Sequence, residues 1–323
     1  MVRKMQSPSI APASNHTGRT GYLTQHHKRQ PRMGVNHMKY ESGRFSQYFT
    51  AAGLIVLLST WGSARVGAQT DYYNTDRGRP VQIEDAYVTE RHAFELKLAP
   101  VRIERANGGI YNWGLEPEIA YGLLPRTQVE IGLPLAYVEV GQQRNAGLAG
   151  LDFSVMHNLN VETETLPALG IRADVLAPVG SLAADHAFAS FTGMVTRTTS
   201  WIRFHVNGQY TAGPATSSSP VGGSRVGGPA AVEVSRWLVG GAIDKTYPLS
   251  ALLITADFYG SKPLVPGSSV EYTTGAGFRY QRSPTLALDA GVGRRLNGDN
   301  PAWFLTFGTA YAFAVRSLFP FGR

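Results

Sequence analysis

A nucleophile needs a base beside it and a third group to orient that base. Ser154 and His157 are the nearest serine–histidine pair in this chain. They lie three positions apart in a segment of alternating character, which puts them on opposite faces of a strand, so they cannot share a proton. His205 falls on one face with Arg203 and Asn207. A metal or acid–base role is open to it, but partnership with a neighbouring carboxylate is the plainer reading. Asp185-His186 and the pair Glu162 and Glu164 sit in turn-like sequence, where polar residues are solvated. Gly222-Gly223 and Gly227-Gly228 lack the strand before and the helix after that a phosphate-cradling loop requires. Cysteine is absent, which excludes thiol catalysis, thiolate metal sites and disulfides together. The sequence therefore predicts no enzyme, no metal site and no cofactor.

The charged residues are more informative as a set. Between Ala93 and Phe313, apolar and polar residues alternate in segments of about ten, punctuated by Gly, Pro, Asn and Ser. This period of two is that of strands with unlike faces. Trp113, Leu115, Ile119 and Tyr121 share one side, opposite Glu116 and Glu118; Ile202, Phe204, Val206 and Tyr210 oppose Arg203, His205, Asn207 and Gln209. Fourteen charged or titratable residues fall on the side away from the apolar ones: Glu95, Lys97, Glu116, Glu118, Glu130, Asp152, Arg172, Asp174, Arg203, His205, Asp257, Glu271, Arg279 and Asp289. Twelve strands are predicted, over 93–103, 111–121, 127–139, 147–159, 167–177, 188–198, 200–212, 237–247, 251–260, 270–281, 285–295 and 303–313. The even-numbered connections are short, Thr199 alone forming one of them, whereas the third, fifth, seventh and ninth are longer and 213–236 is the longest.

Alternation alone does not say which face is wet. A soluble barrel turns its apolar side inward, and a membrane barrel turns it out to lipid. Three features favour the second: an even strand count, aromatic residues near strand ends (Tyr121, Tyr137, Tyr210, Tyr247, Trp303, Phe313), and a secretory pattern upstream. The stretch FTAAGLIVLLSTWG follows Lys39 and Arg44 and precedes Ala64-Arg65-Val66-Gly67-Ala68. This is the basic, apolar and small-residue succession of a signal peptide cut before Gln69. The alternative is an uncleaved anchor, for which the apolar run is too short to span. A start at Met38 gives a signal of ordinary length, 38–68, and leaves 1–37 as a disordered leader or an over-long gene start. No run of eighteen apolar residues follows residue 70, so any span in the body is made of strands.

Charge placement removes another class. The chain carries 30 Lys and Arg against 23 Asp and Glu. Nine of the basic residues and only Glu41 of the acids precede residue 69, leaving a body of 21 basic and 22 acidic residues with no basic run. Nucleic acid is excluded as a partner. The predicted fold is an all-β, transmembrane, antiparallel up-and-down barrel over 93–313, with a C-terminal tail over 314–323. It is expected in the outer membrane of a Gram-negative-type bacterium, with the lipid bilayer as its partner. The segment 69–92 carries Asp71, Asp76, Arg77, Arg79, Glu84, Asp85, Glu90 and Arg91 without apolar periodicity. It has two open dispositions: a polar plug whose charges meet Arg172, Arg203 and Arg279, or a periplasmic tail.

The stretches Asn74-Thr75-Asp76-Arg77-Gly78-Arg79-Pro80 and Tyr121-Gly122-Leu123-Leu124-Pro125-Arg126-Thr127-Gln128-Val129-Glu130-Ile131-Gly132-Leu133-Pro134 carry a family resemblance. So do GAGFRY (275–280), LDAGVG (288–293) and the closing strand 303–313. Together they resemble the outer-membrane proteins named for the meta-pathway of phenol degradation. That resemblance implies a barrel associated with uptake of aromatic compounds. Two functions stay open at this point. One is passive transport of small, aromatic or apolar solutes; the other is a closed structural barrel whose outer loops bind a partner.

Overall fold

The computed structural model describes residues 74–106, 111–140, 143–215, 234–264, 266–298 and 301–315. The expected leader (1–37), signal peptide (38–68) and residues 69–73 lie outside them, as do 316–323 and most of the loop 213–236.

Fourteen strand segments follow in order: β1 (Ala93–Ala106), β2 (Tyr111–Leu124), β3 (Thr127–Gly132), β4 (Leu135–Val140), β5 (Gln143–Leu148), β6 (Leu151–Asn160), β7 (Ala168–Ala177), β8 (Phe188–Thr198), β9 (Arg203–Ala212), β10 (Ser235–Thr246), β11 (Leu252–Pro263), β12 (Glu271–Ser283), β13 (Leu286–Arg295) and β14 (Ala302–Ala314). Each pairs antiparallel with its neighbours, and β1 pairs with both β2 and β14, so the sheet closes on itself. β3 and β4 form a single stave beside β2, and β5 and β6 form the next. The molecule is thus a closed antiparallel barrel of twelve staves. No described residue is helical.

Two expected strands, 127–139 and 147–159, are interrupted rather than continuous. The breaks fall at Leu133-Pro134 and Ala149-Gly150. Proline has no N–H to give to a ladder, and here the backbone improvises: Leu133 N–H donates to the Pro117 carbonyl at 3.0 Å and Ala149 N–H to the Pro134 carbonyl at 2.8 Å. A register shift in β1 between Lys97 and Val101, around Pro100, continues the same line of irregularity. The third connection, expected over 140–146, is only 141–142. The segment QRNAGL lacks alternation and reads as a loop, yet it pairs along the whole of β4. Thr199 alone was also too short a turn, since 199–202 joins β8 to β9.

The connections 125–126, 161–167, 199–202, 247–251 and 284–285 gather at one end of the barrel. The connection 178–187 belongs to the other, as do the described residues 213–215 and 234. Exposure separates the two faces of the wall. Phe191 is 55% exposed and Phe258 52%, whereas Lys97 is 2% exposed and Arg279 fully buried. An apolar exterior around a charged interior inverts a water-soluble barrel, and it is the arrangement that a lipid surround stabilises. Stacked aromatics mark both rims. Phe94 lies 4.5 Å from Tyr121 and 5.4 Å from Phe313 near the short turns, and Trp113 lies 5.8 Å from Tyr137 near the long loops.

Candidate functional site: the interior and the segment within it

The chain before β1 turns back into the barrel. His92 N–H donates to the Gly122 carbonyl at 2.7 Å, which sets the direction of the reversal at the short-turn end. Farther back, Asp76 and Arg79 close a tight turn, with Arg79 N–H on the Asp76 carbonyl at 3.1 Å and Gly78 at φ 80°. That is a backbone conformation glycine adopts without strain.

Most of the segment's charges meet a wall charge of opposite sign. Asp76 accepts from Arg279 Nη1 at 2.7 Å, lies 2.9 Å from Lys97 Nζ and also contacts Arg79. Arg79 reaches Asp289 at 3.3 Å and Glu95 at 3.8 Å. Arg77 sits 3.4 Å from Asp152 and 3.2 Å from Asp174. Glu84 pairs with Arg172 at 3.3 Å, and Asp85 lies 3.8 Å from Arg203. Backbone groups are satisfied in the same way. Gln82 N–H donates to Asp257 at 2.7 Å, Ala86 N–H to Thr196 at 3.0 Å and Thr89 N–H to Gln128 at 2.6 Å. The Pro80 and Ala86 carbonyls accept from Thr306 (2.8 Å) and Asn158 (2.7 Å).

Two apolar side chains fix the segment between these polar contacts. Ile83 is fully buried against Leu238, Ala242 and Tyr259, and Ala86 against Met156, Ala168 and Met194. The wall also lacks side chains where the segment runs closest. A Cβ on Gly277 would fall 2.6 Å from the Pro80 ring, and one on Gly291 would fall 2.5 Å from the Pro80 carbonyl oxygen.

Twelve of the fourteen sequence-predicted residues are buried, and Glu118 and Arg203 are partly buried. Lys97, Glu118, Glu130, Arg172, Asp152 and Asp174 gather into one group, in which Lys97 reaches Glu130 at 2.5 Å and Arg172 reaches Glu130 at 2.8 Å and Asp174 at 2.7 Å. Glu116 is buried beside them, its carboxyl close to Gly132 along with Glu118 and Asp152. Arg203 and His205 both bind Asp244, each at 2.8–2.9 Å. Glu271 pairs with Arg295 at 3.3 Å. Asp244, Arg295, Arg102 and Glu104 belong to this interior but were not among the expected residues. Ser154 and His157 are not brought together: Ser154 donates to Glu130 at 2.9 Å, and His157 faces Thr127 at 2.9 Å. No group of three metal-ligating side chains occurs among the described residues.

Two titrating groups of the segment, outside the strands, respond in opposite ways. Burial disfavours the charged form of Asp76, but Arg79, Lys97 and Arg279 hold its carboxyl well below the usual carboxylate range. At Asp85 burial prevails over Arg203 and over the N–H groups of Thr75 and Tyr87, and the carboxyl is pushed up to about 7.

No family model matches the chain, and no curated protein does. Solved structures similar in fold include an outer membrane channel from Pseudomonas putida F1, at 14% identity and a TM-score of 0.47, covering 74% of this chain and 100% of that one. The KdgM porin is similar at 12% identity and a TM-score of 0.42, covering 68% and 99%. The CymD monoaromatic hydrocarbon channel is similar at 9% identity and a TM-score of 0.39, covering 70% and 89%.

Proposed function

We propose that this chain is an outer-membrane barrel for passive passage of small solutes, with residues 74–92 as a resident plug at its periplasmic end. The observation that carries the reading is the charged interior occupied by a segment held through side-chain contacts. Only ion pairs, hydrogen bonds and two apolar contacts hold it, so no bond must be cleaved for it to move. A chain entering from the periplasm reaches β1 at the short-turn end, which is the periplasmic end of such barrels. The resemblance to the phenol meta-pathway proteins points to aromatic or apolar solutes.

Single-channel recording in a planar bilayer tests the passage. The expected result is a small conductance for the full chain and a several-fold larger one when 74–90 are deleted. A folded, inserted barrel silent in both forms would instead favour a closed structural barrel whose outer loops bind a partner. Uptake of labelled phenol by cells with an intact lipopolysaccharide leaflet, with and without the protein, tests the solute class.

A further inference from the structure

The outer wall of β12, β13, β14 and β1 is almost free of charge. Its outward residues on β14 are Trp303, Leu305, Phe307, Thr309, Tyr311 and Phe313, and on β1 they end with Val101, Ile103 and Arg105. Among the described residues of these four strands, only Arg105 and Arg294 break the apolar face at the long-loop end. Arg282 does so at the short-turn end. The carboxylates of β1 and β13, namely Glu95, Glu104 and Asp289, belong to the inner face.

Arg105 and Arg294 are placed by register on either side of one tryptophan. Trp303 of β14 is the partner of Arg105 in β1 and of Arg294 in β13. All three are exposed, Trp303 by 56%. The Arg294 guanidinium carbon stands 5.1 Å from the centre of the Trp303 ring, a cation–π distance that orients it along the wall. Two strand spacings set the arginines' backbones roughly 10 Å apart. Two residues deeper, the same strands present Ile103, Leu305 and Val292, each more than 40% exposed. The wall thus passes within one row from guanidinium and indole to bare aliphatic surface, which is the depth profile of a lipid from headgroup to acyl chain.

We infer that Arg105, Trp303 and Arg294 form an external binding site for a phosphorylated glycolipid of the outer leaflet, with phosphate on the guanidiniums and acyl chains on Ile103, Leu305 and Val292. Arginine suits phosphate because its planar fork offers paired donors, and it stays charged at the membrane surface. Charge complementarity selects an anionic headgroup, and the aliphatic row beneath selects a lipid over a soluble phosphate. The inference rests on the reading that the apolar exterior faces lipid with its long loops outward.

Native mass spectrometry of the folded full chain in a nonionic detergent, titrated with diphosphoryl lipid A or its dephosphorylated form, tests this. The expected result is retention of the diphosphoryl lipid about thirtyfold more tightly by the parent protein than by Arg105→Gln/Arg294→Gln, roughly fivefold per arginine. The dephosphorylated lipid should bind both proteins alike, and Arg126→Gln/Arg282→Gln at the opposite end should bind as the parent does. Equal affinity of the parent for the two lipids would overturn the site without depending on any variant, and so would equal affinity of the parent and the double variant. Heat-modifiable migration confirms that each barrel is folded. A parent chain that stays soluble without detergent would overturn the lipid-facing reading itself.

Discussion

The two halves of the interior solve the same electrostatic problem by different means. Toward the long loops, charges on the wall neutralise one another: Arg295 reaches Glu104 at 2.8 Å and Glu271 at 3.3 Å, and Arg102 reaches Glu104 at 3.4 Å. Toward the short turns, wall pairs such as Lys97–Glu130 and Arg203–Asp244 are present too, but some wall charges depend on a third party. Arg279 and Asp289 lie in register on β12 and β13, yet Arg279 turns to Asp76 and Asp289 to Arg79, both in the segment. A buried charge that loses its partner costs more than the pair contributes. The long-loop charges are therefore paired without the segment, while Arg279 and Asp289 in the short-turn half are paired through it.

The largest expected effect comes from deleting 74–90. Conductance should rise several-fold, and charge in the short-turn half should become accessible, so ion selectivity should shift while the barrel keeps its heat-modifiable migration. Unchanged conductance and selectivity in an inserted barrel would erase the distinction between the halves. Next is Gly291→Leu, whose first side-chain carbon already falls 2.5 Å from the Pro80 carbonyl oxygen. The segment has to leave this wall, and conductance should move most of the way toward that of the deletion. A substitution on the open stretches of β8 or β9 at Gly193 or Gly208, where no atom lies within 4 Å of an added Cβ, should leave conductance as it was.

A matched pair of changes sharpens the comparison. Arg279→Met removes a partner of Asp76 and should loosen the segment, raising conductance modestly. Arg295→Met removes a partner that Glu104 and Glu271 share, and it should cost barrel stability, about 3–5 kcal/mol for breaking a buried pair, without moving the segment. Denaturation midpoints and conductance measured on both variants separate these outcomes. If Arg295→Met opens the barrel as far as Arg279→Met does, the halves are not independent.

The smallest effect is that of pH. Asp85 has its carboxyl raised from an ordinary value near 4 to about 7 in the docked segment. Between these values the docked form holds a proton that a free segment has released, so docking is firmest at low pH and weakens as pH rises through 7. Asp76 has the opposite sign, and its contribution is lost only below the ordinary carboxylate value. Conductance should accordingly rise from pH 5 to pH 8 in the parent and stay level in Asp85→Asn.

The twelve staves were legible in the sequence because alternation, glycine and proline mark them directly. The interior was legible only where alternation keeps its phase. Glu95 and Lys97 face inward, but the irregularity around Pro100 shifts the phase by one, so Arg102 and Glu104 face inward too, where an uninterrupted count places them outside. Asp244 was missed for a different reason. β10 is apolar on both faces, Val239 and Ile243 outside and Leu238 and Ala242 inside, so no polar side announces itself. The inner apolar patch makes sense only through Ile83, which packs on it from far back in the chain. Contacts of that kind have no local period, and the sequence offered the plug and the free tail as equals.

The most direct test of the central account uses the absence of native cysteine. The Ala86 Cβ lies 3.2 Å from where a Cβ on Gly170 would stand, so Ala86→Cys/Gly170→Cys brings two thiols within reach of a disulfide after a shift of a few tenths of an ångström. In membrane-inserted protein the account predicts a near-complete intramolecular crosslink, with low conductance when oxidised and higher conductance on reduction. A folded barrel that forms no crosslink, or that conducts equally in both redox states, would contradict it.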